Sequence, residues 1–118
     1  MSNEAKNPGE VTLCVSNGYK KKFYLNENFN QLPQSIRDEL KIMCVLYTED
    51  VGGILELVFD EDGTLQFKTS CEENDFLYDE IGSVLKIKQY QNEKRDLLEA
   101  LEMFYRIIYL GEGFDEGD

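Results

Sequence analysis

The sequence predicts an α+β fold, a four-stranded antiparallel sheet built from two β-hairpins with helices on one face. The expected order is β-β-α-β-β-α, with the last helix long or split. Three observations predict it. A turn at 60–63 separates two alternating apolar runs, Asn17-Gly18 separates two more, and apolar residues recur at helical spacing over 36–51 and 77–108.

In the first hairpin, Val11, Leu13 and Val15 alternate with Thr12, Cys14 and Ser16, and a second strand runs from Tyr19 to Leu25. A two-residue Asn-Gly turn would set Leu13 against Lys22. A three-residue loop sets Leu13 against Phe23 and Val11 against Leu25. Burial of a matched apolar face outweighs turn preference, which favours the longer loop. Lys20, Lys21 and Lys22 form the main positive cluster. Blunting a sheet edge is the role expected of them, with anion binding as the alternative.

A loop follows over 26–32, in which Phe29 can plug the core. Pro33 suits a helix start, because its missing N–H would be unpaired there anyway. Ile36, Leu40, Met43, Cys44, Tyr47 and Val51 fall on one helical stripe. Residues 42–47 are apolar all round, so this helix is expected to be buried on more than one side. Gly52-Gly53 ends it.

The second hairpin carries the firmest register. In Asp60-Glu61-Asp62-Gly63, a three-residue loop puts Gly63 at the left-handed position that closes a type I turn with a bulge. That choice pairs Asp60 with Thr64, Phe59 with Leu65, Leu57 with Phe67 and Leu55 with Thr69. The other face then carries Val58 with Gln66 and a Glu56–Lys68 ion pair.

Beyond an acidic loop at 71–74, Asn74 or Asp75 can cap a new helix, and Asp79-Glu80 suit its positive end. Apolar positions run through Leu77, Ile81, Val84, Leu85 and Ile87, thin out over 88–96, and return at Leu97, Leu98, Leu101, Phe104, Tyr105 and Ile108. One helix over 75–110 would be about 54 Å long, whereas a domain of this size is only about 25–30 Å across. Either the helix breaks near 90–92, or its second half packs on something else.

The 118 residues are thus read as a flexible leader (1–9), a single α+β domain (10–110) and a disordered acidic tail (111–118). Lys plus Arg number 12 against 24 Asp plus Glu, a formal charge of −12. Such a field repels phosphate backbones and argues against nucleic acid as a partner. No apolar run approaches the ~20 residues of a membrane helix. The N-terminus lacks the basic start and apolar stretch of a signal peptide. Cys14, Cys44 and Cys71 are odd in number and widely spaced, so they are expected as reduced thiols in a cytoplasmic protein.

The sequence completes no catalytic or metal motif. The chain has no histidine, which excludes Ser–His and Cys–His nucleophilic arrangements. An EF-hand reading with Gly63 at the sixth position puts Val58 and Thr69 where carboxylates are required. Glu72, Glu73, Asp75, Asp79 and Glu80 could gather round a metal or act as acid and base, but helix capping accounts for most of them. Gly52-Gly53 lacks the Lys and Ser/Thr of a phosphate-binding loop. No catalytic residue, cofactor or metal is expected, and the chain is read as a non-enzyme.

The remaining signal is the C-terminal stripe. Leu97, Leu101, Phe104, Tyr105, Ile108 and Tyr109 form a broad aromatic and aliphatic face. It is either domain core or an interface for a second copy or a protein partner. The expectation is a non-enzymatic binding or scaffold module that self-associates through this helix, with an acidic inhibitor or chaperone of a basic partner, akin to an immunity protein, as the alternative. Residues 38–53, 59–63 and 76–88 resemble segments of a family of uncharacterised small acidic proteins from anaerobic Gram-positive bacteria. The likeness runs roughly from Val11 to Leu110 and transfers no site residue. It implies a bacterial, cytoplasmic origin. Size, acidity and mixed order are also loosely similar to acidic dimeric chaperones of bacterial secretion systems.

Overall fold

In chain order the elements are β1 (Val11–Asn17), β2 (Lys22–Leu25), a 3-10 turn (Glu27–Phe29), α1 (Gln34–Val51), β3 (Ile54–Phe59), β4 (Leu65–Ser70), α2 (Glu80–Glu93) and α3 (Arg95–Ile108). The structure is a computed structural model that describes residues 9–111. Nearly all of the expected leader, residues 1–8, and all but the first residue of the expected tail, residues 112–118, lie outside the described residues. The fold is α+β with a four-stranded antiparallel sheet in the order β2-β1-β3-β4 and three α-helices.

The β3–β4 hairpin has the register its turn dictates, with Phe59 opposite Leu65, Leu57 opposite Phe67 and Glu56 opposite Lys68. Gly63 takes φ 84°, and Asp60 Oδ1 accepts from the backbone N–H groups of Asp62 and Thr64. Those bonds hold the Asp60 carboxyl below its ordinary range, the Thr64 amide contributing most. Lys68 Nζ lies 2.7 Å from Glu10 Oε1, and Glu56 accepts from Thr12.

The β1–β2 register departs from both alternatives weighed for it. Cys14 faces Leu25 and Ser16 faces Phe23, so neither Leu13–Phe23 nor Val11–Leu25 forms. There are two physical reasons. Asn17 Oδ1 accepts from the backbone N–H of Tyr19 and Lys20, which makes a four-residue loop, 18–21, in place of three. In addition, β1 bulges at Leu13, between Thr12 and Cys14, when it pairs with β3. A bulge changes the parity of the strand, so Leu13 and Cys14 are both fully buried.

One face of the sheet carries Cys14, Ser16, Leu55, Leu57 and Phe59 into the core. α1 lies on it through Cys44, whose Sγ is 3.8 Å from Cys14 Sγ, and through Thr48, bonded to Ser16 at 2.9 Å. α1 buries Leu40, Met43, Cys44, Tyr47 and Val51, as its stripe predicts. Ile42 and Leu46, expected inside, are more than half exposed.

Of the two outcomes its length allowed, the last segment splits, but at Lys94 and not at 90–92. Lys94 has φ −106° and ψ 27°, far from helical values, and each flanking helix has 14 residues. α2 begins at an Asp79 cap, where Oδ1 accepts from Gly82 N–H at 2.8 Å, rather than at Asn74 or Asp75. Asp75 is held in the preceding loop, accepting from Tyr19 Oη and from Leu77 N–H.

α3 then packs back onto the sheet. Its Glu102 accepts from the Leu65 N–H at the start of edge strand β4. Its aromatic residues close a stack in which Tyr105 lies 4.3 Å from Phe59, Tyr109 lies 5.2 Å from Phe29, and Tyr105 and Tyr109 lie 4.9 Å apart. Phe29 is fully buried between β3 and α3, the plug its loop position suggested. Each such ring pair adds about 0.5–1.5 kcal/mol beyond area burial.

Candidate functional site

The stripe expected to be an interface is largely used by the chain's own core. Leu97, Leu101 and Tyr105 are buried, and Phe104 packs against them. Ile108 and Tyr109 are the two of the six that reach the surface, and Tyr109 already stacks on Phe29 and Tyr105. A second copy cannot contact the first three without prising α3 off the sheet.

The apolar surface left open lies on α2 instead. Helical spacing directs Ser83, Ile87 and Tyr90 inward, and Ser83 and Tyr90 are buried. Ser83 Oγ sits in a closed knot, bonded to the buried Tyr47 hydroxyl and accepting from Tyr78 Oη at 3.0 Å. Burial pushes the Tyr47 hydroxyl well above its ordinary pKa. Lys86 pairs with Asp50 of α1 at 2.8 Å, and Lys94 with Glu39 at 3.8 Å. These contacts fix α2 against α1 by one side only.

Among the described residues nothing covers the other side. Ile81 is 76% exposed and Leu85 62%, and in the loop just before the helix Phe76 and Leu77 are 91% and 93% exposed. Val84 flanks the stripe, and Lys88 extends it by one turn. A groove between α1 and α2 is lined by Leu46, Glu49, Asp50, Lys86 and Tyr90, and Ile42 of α1 is also exposed. A fully exposed aromatic side chain presents about 150–250 Å² and an aliphatic one less. The five residues from Phe76 to Leu85 therefore leave on the order of 600 Å² of apolar surface, a size that marks interaction sites.

Charge flanking the stripe differs at its two ends. Asp79 and Glu80 stand at the N-terminal end of α2, Lys86 and Lys88 follow the stripe, and Glu93 closes the helix. The sequence signal for this face was visible in Leu77, Ile81, Val84 and Leu85. Periodicity alone gave no way to tell it from core.

The acidic residues of 72–80 do not converge. Asp79 caps α2 and Asp75 binds Tyr19. Among the described residues no group of three or more His, Cys, Asp or Glu is placed to hold a metal ion, and no helix is long and apolar enough to cross a membrane. Cys14 and Cys44 are buried free thiols and Cys71 is exposed. Burial, then the contact with Cys44, pushes the Cys14 thiol up.

A model of a family described as "Family of unknown function (DUF6145)" matches residues 10–113. Comparison with curated proteins and with solved structures gives no match.

Proposed function

We propose, for a chain that belongs to this family of unknown function, a non-enzymatic role as a protein-binding module that pairs with a second copy of itself along α2. The observation that carries the reading is the open apolar stripe Ile81–Leu85, with opposite charges on either side of its midpoint. In an antiparallel pair about a two-fold axis between Ile81 and Leu85, Ile81 of each copy meets Leu85 of the other. Lys88 then comes alongside Asp79 and Glu80 of the other copy. A parallel pair would set like charges together. With the polar residues beside the stripe, the buried area would have to reach the ~800 Å² per partner of a standard interface. This reading keeps self-association and moves it from α3 to α2.

Light scattering coupled to size-exclusion chromatography tests it. The parent should run as a dimer, and Ile81→Glu with Leu85→Glu should run as a monomer with an unchanged circular dichroism spectrum. Glu80→Lys and Lys88→Glu should each weaken the dimer, and together restore it. Two chains of charge −12 repel, so added salt should tighten the dimer. A parent that stays monomeric at every concentration and salt would overturn the reading. Binding of a basic protein that fades steeply with salt, in place of self-association, would favour the acidic inhibitor or chaperone.

A further inference from the structure

At the opposite edge of the sheet from β4, a cleft of about 470 Å³ opens between the β1–β2 hairpin and α1. It falls within the range of small-molecule sites, about 300–1,000 Å³. Lys21 and Lys22 line it from the hairpin and Lys41 from α1, with Asn17, Phe23, Val45 and Glu49 completing most of the wall. The chain has twice as many acidic as basic residues, yet this concavity gathers three ammonium groups against one carboxylate. Lys68, Lys86 and Lys94 each have a carboxylate partner; among the described residues Lys21, Lys22 and Lys41 have none.

Two further features point the same way. Lys21 adopts φ 54°, the left-handed region, the sole described non-glycine residue with positive φ. That conformation strains a side-chain-bearing residue and would leave glycine unstrained. The chain nevertheless places a cation there. Asn17 Oδ1 is fully engaged by the Tyr19 and Lys20 amides, which leaves its NH₂ group to donate. Thr48 donates back to the Val45 carbonyl and accepts from Ser16, so the protons of both hydroxyls are spent within the wall. The cleft is therefore rich in donors, with Phe23 and Val45 as an apolar side.

We infer that this cleft binds a small phosphate-bearing anion, a phosphate ester or diphosphate, held by Lys21, Lys22 and Lys41 with its organic part against Phe23 and Val45. The excess of two positive charges matches a dianion. The cluster thus does more than blunt the edge strand on which it lies.

Titration calorimetry with pyrophosphate, inorganic phosphate, a sugar phosphate and succinate tests this on the full chain. A phosphate-bearing ligand should bind saturably and succinate should not. Tighter binding of the sugar phosphate than of inorganic phosphate would identify an ester as the ligand, and the reverse a free phosphate or diphosphate. Lys41→Gln and Lys21→Gly should each weaken binding at least tenfold. Lys21→Gly should leave the unfolding midpoint unchanged or higher, which separates lost binding from lost folding. Lys20→Gln alters the net charge equally but lies outside the cleft, so its affinity should match the parent's. No saturable heat with any phosphate compound, equal binding of succinate, or equal weakening by Lys20→Gln would overturn the inference.

Discussion

Ser83→Ala removes one oxygen from beneath α2, and its cost follows from what that oxygen touches. The Tyr47 side chain is fully buried, and Ser83 Oγ is the hydrogen-bond partner of its hydroxyl. Stranding a buried hydroxyl costs about 1–3 kcal/mol. Tyr78 is half-buried and also loses its acceptor, but it can turn toward water, so its share is at most about 1 kcal/mol. The expected destabilisation is therefore about 1–4 kcal/mol. Tyr47→Phe differs, because it removes the buried hydroxyl together with its need for a partner and leaves the Ser83–Tyr78 bond in place; about 1 kcal/mol is expected. In the double variant no hydroxyl remains stranded at position 47. Its cost should fall short of the sum of the single costs by about 1–2 kcal/mol. The chain has no tryptophan, so urea unfolding is best followed by far-ultraviolet circular dichroism, comparing midpoints at equal slope. Strict additivity, or a Ser83→Ala midpoint equal to the parent's, would refute the closed hydroxyl knot.

Three more outcomes are expected. Of the three thiols, Cys71 should react with a chromogenic disulfide at once and Cys14 and Cys44 only with unfolding; rapid release of more than one equivalent from the native chain counts against the packing of β1 on α1. Burial raises the Cys14 thiol above its ordinary 9.0 and the Tyr47, Tyr90 and Tyr105 hydroxyls above 10.0, so the native state holds protons that the unfolded chain releases. Stability should be whole below pH 9.0, decline above it, and decline faster past 10.0, by up to about 1.4 kcal/mol per pH unit per group; urea midpoints that rise over that window would contradict the sign. Gly53→Ala should cost about 2 kcal/mol or more, because Gly53 has φ 72° and a methyl there would stand 2.6 Å from Tyr78 Cε1 and 2.7 Å from the Ser70 carbonyl; an unchanged thermal midpoint would show that these loops yield freely.

What the sequence made legible divides along a physical line. Where one local device decided, reading was secure. Gly63 fixed the β3–β4 register residue by residue, and Pro33 with Gly52-Gly53 bounded α1. Where two distant choices combined, it was not. The β1–β2 register depends on the Leu13 bulge against β3 and on the Asn17 side chain, and neither leaves a mark in strand alternation. Periodicity recognised two apolar stripes in the last segment but could not say which would be covered. Length alone allowed α3 to leave the body. Its aromatic residues instead find Phe29 and Phe59, which leaves α2 with the open face. Likewise, Lys20–Lys22 were visible as a cluster. Only the packing of α1 on the sheet brings Lys41 opposite Lys21 and Lys22 and makes a concavity of them.

The aromatic stack also orders events in time. Phe29 and Phe59 are translated long before Tyr105 and Tyr109, the rings that complete their packing. A nascent chain emerging at ~5–20 residues per second holds those two phenylalanines without their final cover for several seconds. During synthesis the sheet thus keeps part of its apolar face without its final cover until α3 arrives.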